Sequence, residues 1–214
     1  MTIIISIEGN IGSGKSTYMN YLKNKFKNDE SVHFLREPID IWNSITDENN
    51  RTLLELFYEN QEEYSSKFQT MALITRFELL EEALEKDYKI IITERCIETD
   101  RNVFAKMLYD DKKIKEIDYK IYLRCYKSFI KKIPNMFYIY IHTDPNIAYE
   151  RVNKRSRQGE NIPLEYLRNC HHYHNEWLDK ENKMIINGDT DENDNNYQIN
   201  LNRICDFIEI NKVI

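Results

Sequence analysis

Residues 8–17 read EGNIGSGKST and directly follow an apolar run, IIISI, at residues 3–7. The chain has five glycines in 214 residues, and three of them, Gly9, Gly12 and Gly14, lie in this stretch. Glycine adopts backbone angles that are closed to other residues, so the cluster predicts a sharp turn from a strand into a helix.

The same stretch fits the pattern G-x-x-x-x-G-K-[ST] in full, between a predicted strand and a predicted helix. Amides of such a loop and the positive end of the helix dipole bind anions. We expect Lys15 to reach the β- and γ-phosphates of a nucleotide and the Ser16 hydroxyl to ligate Mg²⁺. The predicted nucleotide-binding residues are Gly9, Asn10, Ile11, Gly12, Ser13, Gly14, Lys15, Ser16 and Thr17.

Five short runs rich in β-branched and aromatic residues predict strands. They are IIISI (3–7), VHFLR (32–36), KIIIT (89–93), MFYIYIH (136–142) and KMIIN (183–187). Four of them are nearly continuous rather than alternating, which favours parallel strands covered by helices on both faces.

Stretches with helical spacing separate these runs. The clearest are residues 16–26, residues 53–64 with a continuation through 77–86, and residues 163–178. Strand and helix therefore alternate, and right-handed crossovers would give an α/β fold: a three-layer α/β/α sandwich with a five-stranded parallel sheet. We expect residues 1–214 to form a single domain.

Bulk composition excludes several classes of protein. The formal net charge is −6 with a pI near 5.5, so no nucleic-acid coating surface is expected. The amino terminus lacks a basic region, and no apolar run reaches the length of a membrane span, so no membrane association is expected. Four cysteines lie far apart, without a C-x-x-C pair. We expect a cytoplasmic protein with reduced thiols.

A phosphate-binding loop of this kind also occurs in GTPases, motor ATPases and transporter subunits. The N-K-x-D segment with which GTPases read guanine is absent, and the strand KIIITER ends in Glu94-Arg95 rather than in the Asp or Asp-Glu that is usual in motors. Among the classes of protein with such a loop, these features favour a small-molecule kinase.

The sequence resembles the P-loop deoxyribonucleoside kinases over nearly its whole length. The matching segments are EGNIGSGKST, REPIDIW, FYENQEEYSSKFQ, TERCIETDRNVFA and RVNKRSRQGENIPLEYL with HHYHNEWL. The resemblance implies transfer of the γ-phosphoryl group of ATP, or of another nucleoside triphosphate, to the 5′-hydroxyl of a deoxynucleoside. It also implies a homodimer packed through helices.

The catalytic residues that the resemblance implies are Glu37, Arg95 and Lys15. Glu37 would be the general base for the 5′-hydroxyl, and Arg95 would stabilise charge at the transferred group. Glu94 would hold Mg²⁺ together with Ser16. The usual serine of the family is Cys96 here, and a thiol is the weaker hydrogen-bond donor.

An arginine series follows the fourth strand and corresponds to the lid of these kinases, at about residues 151–162. Arg151, Arg155 and Arg157 would cover the γ-phosphate and exclude water. Arg151 and Arg155 share one helical face, because they are four residues apart.

Matching positions also imply how the acceptor is bound. Trp42 and Phe104 would flank the base, Gln69 would pair with its edge, and Tyr58 and Glu160 would bond the 3′-hydroxyl. The lid is shorter than in many relatives and has Gly159 where another carboxylate is common, so the Glu160 position could shift by one residue.

The pair Arg76 and Asp100 matches family members that accept deoxycytidine and deoxypurine nucleosides, whereas thymidine-preferring members carry uncharged residues there. A charged pair facing the thymine methyl would leave buried polar groups unused. The sequence therefore predicts a preference for deoxycytidine or deoxypurine nucleosides over thymidine.

Two alternatives stay open. A thymidylate-type monophosphate kinase shares the loop and lid, but its phosphorylated acceptor would be repelled by Glu37. A non-catalytic nucleotide-binding subunit would not need Lys15, Glu37 and Arg95 together.

The segment CHHYH at residues 170–174 contains several residue types that bind metals. A zinc site needs three or four ligands, however, and no second cluster of such residues is visible in the sequence.

Overall fold

The computed structural model describes residues 2–155, 162–191 and 193–212. Its centre is a five-stranded, all-parallel sheet with strand order β2-β3-β1-β4-β5. The strands are β1 (Ile3–Gly9), β2 (Val32–Leu35), β3 (Ile90–Glu94), β4 (Met136–His142) and β5 (Lys183–Asn187). The five predicted runs and the parallel sheet are confirmed.

Helices connect the strands. They are α1 (Lys15–Lys25), α2 (Ile39–Ser44), α3 (Leu53–Glu59), α4 (Gln61–Leu84), α5 (Ile97–Thr99), α6 (Lys106–Asp110), α7 (Glu116–Phe129), α8 (Pro145–Arg155), α9 (Leu164–Leu178) and α10 (Asn195–Lys212). A π-helical segment, Asp100–Ala105, joins α5 to α6, and a 3₁₀ turn, Ile130–Lys132, follows α7.

Each face of the sheet packs against a layer of helices. Side chains alternate along a strand, so Ile5 of β1 faces the layer that contains Leu22 of α1 and Ile204 of α10. Ile4 faces the opposite layer and packs with Leu80 of α4. All of these side chains are buried. The three-layer α/β/α architecture is therefore confirmed.

The long helix expected from residue 53 to residue 86 is two helices, because Asn60 interrupts it. The backbone of Asn60 has φ −142° and ψ 86°, and its side chain accepts a hydrogen bond from the Glu63 amide at 3.2 Å. Asparagine is among the preferred N-cap residues, so the side chain begins a new helix where periodicity alone predicts a continuous one. Within the described ranges, no helix has the length and apolar character of a membrane span.

Parallel strands present their carboxyl ends at one edge of the sheet, and the predicted site residues follow these ends. The phosphate-binding loop follows β1, Glu37 follows β2 and Arg95 follows β3. The fold therefore brings together segments that are far apart in sequence.

Candidate active site

The loop between β1 and α1 has the conformation that its glycines permit. Gly14 precedes the first residue of α1 with φ +93°, and Gly12 has φ +80°. A Cβ atom on Gly12 would lie 2.4 Å from the carbonyl oxygen of Ala148 in α8. Glycine at position 12 thus lets the loop pack closely against α8, the helix that carries Arg151 and Arg155.

Lys15 is buried at the start of α1. Its Nζ donates hydrogen bonds to the carbonyl oxygens of Asn10 at 2.7 Å and Gly9 at 3.1 Å. Burial, and next the positive charge of Arg95, lower the pKa of Lys15 to about 7. Phosphate oxygens would oppose both effects, so the surroundings of this amine favour a polyanionic ligand.

Two oxygen-bearing side chains meet beside the loop. The Ser16 hydroxyl donates a hydrogen bond to Oε1 of Glu94 at 2.7 Å. Ser16 comes from α1 and Glu94 from the end of β3. Hydroxyl and carboxylate oxygens are the hard ligands that Mg²⁺ prefers, so this pair fits the metal that the sequence predicts.

Glu37 is held by two arginines. Its Oε1 accepts from Nη1 of Arg95 at 2.7 Å and from Nη2 of Arg76 at 3.2 Å. Burial alone would raise the pKa of Glu37, but Arg95, Arg76 and Lys15 lower this pKa to about 2. Glu37 is therefore ionised at neutral pH and can accept a hydrogen bond from a hydroxyl group.

Arg76 continues this network into the interior. Its Nε donates to Oδ2 of Asp100 at 3.0 Å, and its Nη1 donates to the carbonyl oxygen of Glu94 at 2.8 Å. Asp100 is 2% exposed and Arg76 is 7% exposed. Burial raises the pKa of Asp100 to about 6 although Arg76 opposes that shift.

A cavity of about 740 Å³ opens at this edge of the sheet. The predicted residues that line it are Ile11, Gly12, Ser13, Gly14, Lys15, Ser16, Thr17, Glu37, Trp42, Tyr58, Gln69, Arg76, Glu94, Arg95, Asp100, Phe104, Arg151 and Arg155. One cavity therefore contains most of the phosphate-binding loop and, among the described residues, those expected to bind the acceptor.

Two predicted residues do not line the cavity. Asn10 is 2% exposed, and its Nδ2 donates to the carbonyl oxygen of Leu167 at 2.8 Å. Gly9 lies at the end of β1, where a Cβ atom would lie 2.7 Å from the carbonyl oxygen of Ile141. Arg157 and Glu160 lie outside the described residues.

Aromatic rings form the inner walls of the cavity. Nε1 of Trp42 donates to the hydroxyl of Thr75 at 3.0 Å, which fixes the orientation of the indole. The guanidinium carbon of Arg95 lies 5.1 Å from the ring centroid of Phe104, a cation–π distance. Flat apolar walls next to fixed charges suit an aromatic heterocycle with polar edges.

Gln69 lines the same cavity from α4. It is 2% exposed, and among the described residues its Oε1 has no hydrogen-bond partner. A buried amide oxygen without a partner is costly, so its position in a cavity wall indicates a ligand that donates to it.

Arg151 contacts a loop that follows β5. Its Nη1 donates to the carbonyl oxygen of Gly188 at 2.7 Å, and its Nη2 donates to that of Thr190 at 3.2 Å. The distance from Nη2 of Arg151 to Oδ1 of Asp191 is 3.8 Å. In this structure, Arg151 therefore fixes the loop at residues 188–191, a long-range contact that the sequence pattern did not suggest.

Several lining residues were not assigned from the sequence. They include Arg36, Asp40, Phe68, Ala72, Tyr166, Thr190, Asp191 and Tyr197. Arg36, Asp40, Phe68 and Tyr166 lie inside segments that match the kinase motifs, so their proximity to assigned residues was an available signal. The other side of the cavity depends on the fold, because Thr190, Asp191 and Tyr197 are distant from α1 in sequence and line the same cavity only in three dimensions.

The histidines near residue 171 make packing contacts. Nδ1 of His174 lies 2.7 Å from the carbonyl oxygen of Cys170 and therefore carries the proton. The rings of His142 and His171 are 4.8 Å apart, edge to face. Among the described residues, no group of three or more potential ligands is arranged for a metal ion.

Comparisons with known proteins show the family to which this chain belongs. The family model for deoxynucleoside kinases matches residues 5–211. The chain is 34% identical to a fowlpox virus protein named probable deoxycytidine kinase, over 95% of this chain and 87% of that one. It is 30% identical to the mitochondrial deoxyguanosine kinase of Xenopus laevis, over 85% of this chain and 75% of that one.

A third relative, human mitochondrial thymidine kinase 2, is 31% identical over 83% of this chain and 64% of its own length. The names of these relatives thus include three different acceptors, and they agree on the reaction class. The chain belongs to the deoxynucleoside kinase family and is an ATP-dependent deoxynucleoside kinase.

Proposed function

We propose that this kinase phosphorylates the 5′-hydroxyl of deoxycytidine and of deoxypurine nucleosides in preference to thymidine. The observation that carries the proposal is the buried pair of Arg76 and Asp100 in the cavity wall, 3.0 Å apart. Asp100 accepts from an exocyclic amine, and Arg76 donates to a ring nitrogen or a carbonyl oxygen. Thymine has no exocyclic amine, so it cannot supply this second donor to the carboxylate.

The acceptor base lies between Trp42 and Phe104, with one edge against the Gln69 amide. An amide group can accept and donate at the same time, which suits adjacent N–H and carbonyl or ring-nitrogen positions of a nucleobase. The Oε1 of Gln69, which has no partner among the described residues, supports this role. Tyr58 lies in the same cavity wall and is assigned to the sugar 3′-hydroxyl.

Glu37 orients the 5′-hydroxyl and takes its proton. A carboxylate with a pKa near 2 is a weak base toward an alcohol in the ground state. Transfer of a phosphoryl group through a loose transition state needs little proton removal before the new bond forms. Glu37 therefore acts first as a hydrogen-bond acceptor and receives the proton late, when bonding to phosphorus acidifies the hydroxyl oxygen.

The donor triphosphate binds along the loop and the start of α1. Lys15 contacts the β- and γ-phosphates, and Arg95, on the acceptor side, stabilises charge on the transferred group. Ser16 and Glu94 would hold Mg²⁺, which would shield the phosphate charges. Arg155 lines the cavity beside the loop and covers the γ-phosphate from the lid side.

The test is the kcat/KM of the purified protein for each of the four natural deoxynucleosides with ATP and Mg²⁺. We expect deoxycytidine or a deoxypurine nucleoside to give the highest value. A higher kcat/KM for thymidine than for these three would contradict the proposed preference. A parallel assay with thymidylate and deoxycytidylate separates a nucleoside kinase from a monophosphate kinase.

The kinase acts as a homodimer in a reducing compartment such as the cytoplasm. Ile117 and Ile121 lie one turn apart on α7 and are 64% and 58% exposed, which supports a second copy covering this face. All four cysteines are free, which supports a reducing environment. Light scattering of wild type and of Ile121→Asp tests the dimer: a dimeric wild type and a monomeric variant are expected.

A further inference from the structure

Glu8 is a fully buried carboxylate that has no role in the proposed reaction. It is 0% exposed, and it lies in β1, one residue before the phosphate-binding loop. A buried carboxylate is costly unless hydrogen bonds satisfy it. Its partners are hydroxyl groups: Ser6 donates to Oε1 at 2.6 Å, and Oγ1 of Thr99 lies 2.7 Å from both carboxylate oxygens.

The carboxylate determines the direction of the hydrogen bonds around it. A threonine hydroxyl has a single proton, and Thr99 donates it to Glu8. A lone pair of Thr99 Oγ1 is then directed at the Cys96 amide, which donates to it at 3.2 Å. Ser6 likewise accepts from the hydroxyl of Thr93 at 3.1 Å. Glu8 therefore connects β1 both to β3 and to the turn after β3.

That turn carries Arg95 of the proposed site, and Asp100 follows it directly after the short helix α5. Arg95 has φ +62°, a left-handed conformation that residues with a side chain rarely adopt. Its own amide donates to the carbonyl oxygen of Ile7 at 3.1 Å. The next amide is held by Thr99, so the strained residue is fixed on both sides.

Arg95 in the turn and Asp100 after α5 both make contacts in the cavity wall. Arg95 reaches Glu37 at 2.7 Å. Asp100 directly follows Thr99 and reaches Arg76 at 3.0 Å. A change in the backbone direction of the turn would displace both groups, one at the reacting end of the acceptor and one at its base.

We propose that Glu8 and Thr99 are positioning residues for Arg95 and Asp100. The Glu8 carboxylate orients the Thr99 hydroxyl, and that hydroxyl holds the turn between β3 and α5. This inference rests on the proposed function, in which Arg95 acts at the transferred group and Asp100 acts at the base.

Thr99→Val and Thr99→Ser test the hydroxyl. Valine keeps the shape of threonine but cannot bond to Glu8 or to the Cys96 amide, whereas serine keeps both bonds. For Thr99→Val we expect a kcat about 30-fold lower and a deoxycytidine KM about 10-fold higher, with the ATP KM within about twofold. Thr99→Ser should stay within about threefold of wild type in all three constants.

Ser65→Ala is the matched control, because Ser65 is 0% exposed and its hydroxyl has no partner in the described part of the chain. It should leave kcat and both KM values unchanged. Glu8→Gln should shift kcat and the deoxycytidine KM in the same direction as Thr99→Val. Wild-type constants in Glu8→Gln would overturn the role of the carboxylate, and equal losses in Thr99→Ser and Thr99→Val would overturn the role of the hydroxyl.

The double variant Arg95→Lys with Thr99→Val separates positioning from general damage. If Thr99 acts on kcat through Arg95, the kcat of the double variant should be less than about twofold below the kcat of Arg95→Lys alone. A kcat of the double variant about 30-fold below that of Arg95→Lys would overturn the inference. Wild-type kcat in Arg95→Lys alone would instead contradict the proposed role of Arg95, while the valine and serine variants would still decide the role of Thr99.

Discussion

Arg76 lies between two carboxylates: its Nε is 3.0 Å from Oδ2 of Asp100, and its Nη2 is 3.2 Å from Oε1 of Glu37. Asp100 is at the base end of the proposed acceptor site and Glu37 is at the 5′-hydroxyl end. One buried guanidinium thus connects base recognition with the reacting group. Changes at either carboxylate should therefore be distinguishable by which kinetic constant they alter.

Asp100→Asn should reduce discrimination between acceptors. The amide keeps the size of the side chain but removes the negative charge that pairs with Arg76 and with an exocyclic amine. We expect kcat/KM for deoxycytidine to fall about 30-fold, which corresponds to ~2 kcal/mol of lost pairing, and kcat/KM for thymidine to fall less. Asp110→Asn, outside the cavity, is the control, and equal losses for both nucleosides would contradict the assignment.

The activity toward deoxycytidine should depend on the protonation of Asp100. Burial raises the pKa of this carboxyl to about 6, against the opposing charge of Arg76 and with a contribution from Glu37. Below that pH the protonated group has lost its negative charge and accepts from an amine more weakly. We expect kcat/KM for deoxycytidine to fall as the pH decreases from 7 to 5. In the Asp100→Asn variant this decrease in kcat/KM should be absent. A variant whose pH profile is the same as that of wild type would contradict the assignment to Asp100.

Local patterns were sufficient to predict the five strands and the phosphate-binding loop, because a buried strand and a glycine turn are encoded by adjacent residues. The contacts of Arg76 and Arg151 depend on segments that are distant in sequence, so no local pattern specifies their partners. Position 76 was assigned only through the family resemblance. Glu8 and Thr99 were not assigned at all, since buried hydroxyl contacts have no sequence signature.

Glu37→Gln should lower kcat with little effect on ATP binding. Glutamine can contact Arg95 but cannot take the proton of the 5′-hydroxyl, and removal of a proton acceptor typically costs a factor of about 10² to 10⁴. We expect a loss of about 10³-fold in kcat, with the ATP KM within about threefold of wild type. Glu48→Gln, on an exposed loop, should behave as wild type. A Glu37→Gln kcat within threefold of wild type would exclude the proposed role.

Arg151→Lys separates two roles of this arginine. Lysine keeps the positive charge, but its single nitrogen does not reproduce the two-nitrogen fork with which arginine reaches the carbonyl oxygens of Gly188 and Thr190. If the arginine mainly fixes this loop, the ATP KM should rise about 10-fold and kcat should change less than about threefold. A large fall in kcat with an unchanged ATP KM would indicate direct action on the γ-phosphate. Lys154→Gln, exposed on the same helix, is the control.

Acid should destabilise the protein partly through His174. Burial, and next the charge of Arg95, lower the pKa of this imidazole to about 3, from 6.5 as its ordinary value. Between these two values the unfolded chain binds a proton that the folded chain does not, so the free energy of unfolding decreases as the pH falls below 6.5. The expected contribution is ~2 kcal/mol between pH 6.5 and pH 5.

Urea unfolding of His174→Gln between pH 7.5 and pH 5 measures this contribution. The variant is expected to be less stable than wild type at pH 7.5, because it disturbs a fully buried site, but to lose less stability on acidification. His172→Gln is the matched control, since His172 is exposed on the same helix and the variant should keep the acid dependence of wild type. Parallel pH dependences for wild type and His174→Gln would show that the buried imidazole does not limit acid stability.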